Sequence, residues 1–84
     1  MNEILKKSAD LMLSSDYKDR FVAEYIQINN RYENLRKMLE NWDNGALCFI
    51  PTCPKEIYIF QLKFMKEYRD ILIIRAKIEG ITLC

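Results

Sequence analysis

Arginines, carboxamides and a tyrosine recur at seven-residue intervals in this chain and carry most of its capacity for chemistry. Arg20, Gln27 and Asn34 form one such line, Glu24 and Arg31 a second, and Gln61, Tyr68 and Arg75 a third. Seven residues are about two helical turns, so each line would run along one edge of a helix. Arginine forks meet phosphate oxygens in pairs, tyrosine and phenylalanine faces stack on nucleobases, and carboxamides pair with a base edge. A lining of this kind suits an anionic nucleotide. The same residues have a second use: Arg75 with Glu24, or Arg31 with Gln61, would pair across a helix interface and fix its register and oligomer state.

Other chemistry finds no footing. The chain has no histidine, which excludes Ser-His-Asp and Cys-His arrangements and most zinc sites. Cys48 and Cys53 stand five apart with no second pair, a poor match for a metal knuckle. Gly45 and Gly80 are 35 residues apart, so no glycine-rich phosphate loop exists. Acidic pairs such as Asp16 with Asp19, or Glu24 with Glu33, lack the partners that define a hydrolytic site. The expectation is a protein that is not an enzyme, with no catalytic residue, no metal and no cofactor.

The elements that must position these residues are two long helices. Of 84 residues, 50% are apolar and 30% charged, with 13 basic against 12 acidic side chains. A chain this short buries only about 60% of the surface its unfolded form exposes, so a monomer would be marginally stable without metal, disulfides or a partner subunit. Residues 1–43 carry 7 basic and 8 acidic side chains and residues 44–84 carry 6 and 4, so neither half is a basic arm for a nucleic acid polymer. Phe21, Tyr25, Ile28, Tyr32, Leu35, Leu39 and Trp42 recur with gaps of 4, 3, 4, 3, 4 and 3, a heptad seam. Tyr25, Tyr32 and Trp42 therefore belong to the core. Ser14, Ser15 or Asp16 would cap this helix.

The second helix is expected from Cys53 or Pro54, with proline in its first turn and Thr52 or Cys53 as the cap, to about Glu79, where Gly80 stops it. The connector, residues 44–52, is short enough to return the helices antiparallel, with Leu47, Phe49 and Ile50 closing that end. Ile57, Phe64, Ile71 and Ile78 mark one apolar line on the second helix. Tyr58, Leu62, Met65, Leu72 and Ala76 mark a neighbouring line, and Phe60, Ile73 and Ile74 widen the surface. One hairpin cannot cover so wide a face, and identical subunits are the commonest cover. The N-terminal stretch, residues 1–15, would form a short helix that caps this surface or joins the subunit contact. It holds no signal-peptide core, and the longest apolar run near the other end, Ile71 to Ile74, is far short of the roughly 20 residues a membrane helix needs. Three cysteines, Cys48, Cys53 and Cys84, without an export signal fit reduced thiols in cytoplasm.

The segments DYKDRFVAEYIQINNRYENLRKML, GALCFIPTCP and QLKFMKEYRDILIIRAKIEGITL, between Asp16 and Leu83, resemble small uncharacterised helical proteins of gut-bacterial phages, the crAss-like phage related family. In size, architecture and residue types the chain also resembles the helical-hairpin sponge proteins that phages direct against CBASS and Thoeris immunity. That second resemblance implies an oligomer that sequesters a nucleotide immune second messenger between helices without cleaving it, in the cytoplasm of the bacterial host. No ligand contact is aligned residue by residue, and the candidate lining is nearly free of lysine.

The expected protein is thus all-α: an antiparallel two-helix hairpin over residues 16–84, with a possible short N-terminal helix before it, assembled as a homo-oligomeric bundle. Its expected partners are a nucleotide second messenger and further copies of itself, with no membrane. Arg20, Arg31 and Arg75 would hold phosphate, Tyr68 or Phe49 would stack on a base, and Gln27 or Gln61 would meet a base or ribose edge. The rival expectation is a small helical adaptor or inhibitor that docks on another protein through the apolar face of the second helix.

Overall fold

Asp16 starts the longest helix. Its backbone is extended and its carboxylate accepts the Lys18 N–H at 2.9 Å, satisfying one of the donors a helix leaves free at its first turn. Ser14 steadies the same corner, donating from Oγ to Asp19 at 2.8 Å and accepting the Asp16 N–H at 3.1 Å. The structure, a computed structural model, describes residues 2–83. Its helices are α1 (Asn2–Met12), α2 (Tyr17–Asp43) and α3 (Lys55–Glu79), and no strand occurs among the described residues.

Both long helices end on glycine in the left-handed region, where a side chain is strained. Gly45 (φ 68°) follows α2 and lets Ala46 N–H reach back to Asn41 at 2.7 Å. Gly80 (φ 70°, ψ 35°) caps α3 and folds the chain so that Ile81 N–H meets the Ala76 carbonyl at 2.8 Å. That turn tucks the Ile81 side chain into the core beside Phe21, Leu72 and Ala76. At the other end of α3, Pro54 itself is the cap residue, with Lys55 the first helical residue. The expected side-chain cap from Thr52 or Cys53 does not form: Pro54 has no side-chain donor or acceptor, and its carbonyl instead accepts the Ile57 N–H at 3.1 Å.

α2 and α3 form the expected antiparallel hairpin. Its open end is tied by Tyr17 of α2 and Glu79 of α3, its closed end by Trp42 against Tyr58, edge to face at 6.1 Å, and by the Asp43–Lys55 ion pair. Every residue of the α2 heptad seam is buried or half-buried, and Tyr58, Leu62, Met65, Leu72 and Ala76 answer it from α3. One expectation fails in part here. Phe49 and Ile50 do not close the loop end, since both stand in solvent, and Leu47 alone of the three is half-buried. The Trp42–Tyr58 contact and the Asp43–Lys55 ion pair already close the helix ends, so those two side chains stay at the rim.

α1 packs on α2 and not on α3. Ser8 and Ala23 are both fully buried, and small side chains at such positions let helix backbones approach closely. Ser8 Oγ donates to the Leu5 carbonyl at 2.9 Å and receives a donor from Gln27 Nε2 at 3.4 Å. α1 therefore covers the back of α2 and leaves the outer face of α3 open. No helix among the described residues is long and apolar enough to cross a membrane.

Candidate functional site

Six of the seven residues singled out from the sequence line one groove. Along the seam between α2 and α3 run three adjoining depressions of about 320, 210 and 330 Å³. The first shares Glu24 and Gln27 with the second, and the second shares Arg31 with the third, so α2 forms a continuous wall. That wall reads Arg20, Glu24, Gln27, Arg31, Asn34 and Met38, spanning about 27 Å at 1.5 Å per residue. Arg75, Tyr68 and Gln61 face it from α3, one in each depression. Each wall is a heptad edge one step from the buried seam, which is why a regular repeat in sequence becomes a straight groove in space.

Phe49 stands apart. It lines a depression of about 400 Å³ at the loop end, with Trp42, Leu47, Ile50, Pro51 and Lys55 among its neighbours. It is larger than any one of the three groove depressions, yet it holds no arginine or amide side chain. Its lysine already pairs with Asp43 and lies over the Trp42 ring, 5.6 Å from the centroid. The arginines and amides singled out from the sequence line the groove, not this depression.

The groove arginines differ in what they already hold. Arg75 lies over the buried Phe21 ring at 4.9 Å, donates from a terminal nitrogen to the Tyr17 hydroxyl at 3.0 Å and from Nε to Glu79 at 3.4 Å. Partial burial disfavours its charge, but the bonds to Tyr17 and Glu79 outweigh that and hold its pKa above the usual arginine value. The Glu79 carboxylate, accepting from Tyr17 at 2.8 Å, holds that phenol above its ordinary range, with burial acting the same way. Arg20 donates to the Ser14 carbonyl at 3.0 Å and so braces the turn between α1 and α2. Arg31 is exposed and makes no ion pair or side-chain hydrogen bond among the described residues. Neither interface pairing considered from the sequence, Arg75 with Glu24 or Arg31 with Gln61, is present.

Arg75 thus reaches α2 through Tyr17 and Phe21 instead, and a second arginine that ties α3 to α2 is one the sequence left unmarked. Arg69 leaves α3 on the far side of the seam and lies over the Tyr32 ring at 4.4 Å. It donates to Asn29 at 3.3 Å and sits 3.7 Å from Glu33 and 3.6 Å from Asp70. Its side chain is only 19% exposed, and its Nε is buried without a hydrogen-bond partner. Tyr17, Glu24 and Asn34 are further groove residues absent from the candidate set. Glu24 and Asn34 share its heptad lines, whereas Tyr17 meets Arg75 across 58 residues of chain with no local signal.

Cys48 and Cys53 are exposed free thiols between α2 and α3, and Cys84 lies outside the described residues. Among the described residues no three of histidine, cysteine, aspartate and glutamate converge as metal ligands would.

An all-helical hairpin with an arginine- and amide-lined groove along its seam defines the class, a small helical protein with an elongated surface groove. Residues 15–78 match the model of the Sequestin family, which takes in α2, the connector and nearly all of α3, and the chain belongs to that family. The family's name is that of a sequestering protein, and α1 lies outside the matched span. No curated protein and no solved structure matches the chain.

Proposed function

We propose that this protein is a phage anti-defence sponge: a homo-oligomer that binds a nucleotide immune second messenger, of the cyclic oligonucleotide or cyclic ADP-ribose type, and withholds it from its effector without cleaving it. The observation that carries the reading is the groove between α2 and α3, where Arg20, Arg31 and Arg75 stand among Gln27, Asn34, Gln61 and Tyr68 with Glu24 as the one acidic lining residue. Phosphates meet the arginines, a base lies on Tyr68, and the amides take the base or ribose edge. The family's name supports the same reading. Sequestration of this kind is stoichiometric: it works when protein exceeds messenger and Kd lies well below the signalling concentration. The site of action is the cytoplasm of the infected bacterium.

Calorimetry against a panel of cyclic oligonucleotides and cyclic ADP-ribose isomers, followed by heating the complex and identifying what is released, tests it. The expected outcome is binding at micromolar Kd or tighter by at least one member and release of that nucleotide intact. Release of an altered nucleotide would make the protein an enzyme. The second reading, an adaptor or inhibitor that docks on another protein, draws on the exposed apolar row of α3. It gains if no member of the panel binds and a stoichiometric protein partner is recovered from host lysate.

A further inference from the structure

The outer face of α3 carries a second heptad seam that the hairpin leaves open. Ile57, Phe60, Phe64, Glu67, Ile71, Ile74 and Ile78 follow one another with gaps of 3, 4, 3, 4, 3 and 4. The six apolar members are each more than half exposed, from Ile57 at 53% to Ile78 at 79%. They turn away from Leu72 and Ala76, which face α2. Such a repeat is the surface of a coiled coil without its partner.

The flanking charges select both the occupant and its direction. One flank of the open seam reads Glu56, Lys63, Asp70, Lys77, alternating in sign every seven residues; the other reads Gln61, Tyr68, Arg75. In an antiparallel pair of identical helices, like flanks meet. With Ile57 packed at the level of Ile74 of the second copy, Phe60 meets Ile71 and Phe64 meets Glu67. Glu56 then lies against Lys77 of the second copy and Lys63 against Asp70, each contact occurring twice by the two-fold axis. Glu67 comes level with Lys63 of the second copy, which answers its charge. A parallel pair would instead set Glu67 against Glu67 in the core and Lys63 against Tyr68.

We propose that α3 pairs antiparallel with α3 of a second copy of this chain in that register. The like-with-like geometry has a consequence for the groove. Gln61, Tyr68 and Arg75 of both copies fall on the same side of the seam, so the two grooves open next to each other, with Tyr68 across from Gln61 of the second copy. Each copy thereby contributes to its neighbour's site, a consequence that rests on the groove being the nucleotide site, whereas the pairing itself does not.

Sedimentation equilibrium of the full chain tests the pairing. The expected mass is an even multiple of 10.1 kDa, and Ile71→Asp, at an exposed position, is expected to reduce it to the single chain while helical circular dichroism is retained. Lys63→Glu and Asp70→Lys are each expected to weaken association at least tenfold, and the double variant K63E/D70K to recover it. Asp70 is also held within its own chain, by Lys66 at 2.9 Å and Arg69 at 3.6 Å, so the recovery in the double variant carries the decision. Wild type sedimenting as a single chain at tens of micromolar, or a helical double variant that stays dissociated, would overturn the register. A protein that pairs but binds no member of the nucleotide panel keeps the pairing and loses the proposed function; a monomer that binds nucleotide does the reverse. For the shared groove, I71D is expected to lose at least tenfold in nucleotide affinity, and unchanged affinity would overturn it.

Discussion

The two sides of the α2–α3 seam use arginine in opposite ways. On one, Arg69 is 19% exposed and committed: it stacks on Tyr32, donates to Asn29 and neighbours Glu33 and Asp70. On the other, Arg31 is exposed and without an ion pair among the described residues, in a groove whose lining holds one carboxylate for three arginines. A half-buried guanidinium needs partners, and once it has them it locks the helices in register. A guanidinium left in water holds nothing in the fold and stays available to an anion. Arg75 lies between these cases, on the groove side yet bonded to Tyr17 and Glu79, so part of its donor capacity is already used.

Removing what both sides share has the largest effect. Leu72 is fully buried under both walls, and Leu72→Ala is expected to cost about 3 kcal/mol of stability, read by urea denaturation. In a chain of this size that is a large share of the total, so the groove should be lost with the fold. Arg69→Ala is the next largest, about 2 kcal/mol by the same measurement, because it removes the cation from Tyr32 and the donor from Asn29 together. A smaller loss there would mean that the apolar seam alone sets the register. Arg31→Ala is the smallest in stability and the sharpest in function. Its denaturation midpoint should match wild type, while nucleotide affinity by calorimetry should fall at least tenfold. An equal loss of stability in the Arg31 and Arg69 variants would erase the contrast between the two sides.

How much of this was legible in the sequence depended on whether the signal was local. The gaps of 4 and 3 from Phe21 to Trp42 fixed which face of α2 turns inward, because helical periodicity converts spacing into direction. Gly80 named the end of α3 for the same reason, as only glycine accepts that left-handed turn without strain. Ser8 and Ala23 gave no such warning. A serine and an alanine are ordinary on a solvated helix, and their burial follows only from α1 lying across the back of α2. Arg69 looked like any surface arginine until Tyr32, 37 positions away in sequence, came beneath it.

The open row on α3 divides the same way. Ile57, Phe64, Ile71 and Ile78 stood out as one apolar line and Leu62, Leu72 and Ala76 as another, but the sequence could not rank them, since both are apolar and both repeat. Packing ranked them. Leu72 and Ala76 face α2, α1 goes to α2 rather than to α3, and the isoleucine line is left in solvent.

By itself the sequence determined the two long helices, the glycine that ends α3, the inward face of α2 and the polar edges beside it, all of which depend on contacts within a few residues along the chain. The tertiary structure decided that Arg69 is spent on the interface, which apolar line of α3 stays exposed, and that Arg20, Gln27 and Arg31 share a groove with Gln61, Tyr68 and Arg75. Those outcomes depend on how two helices meet about 40 residues apart, and helical periodicity says which way a side chain points without saying what waits for it there.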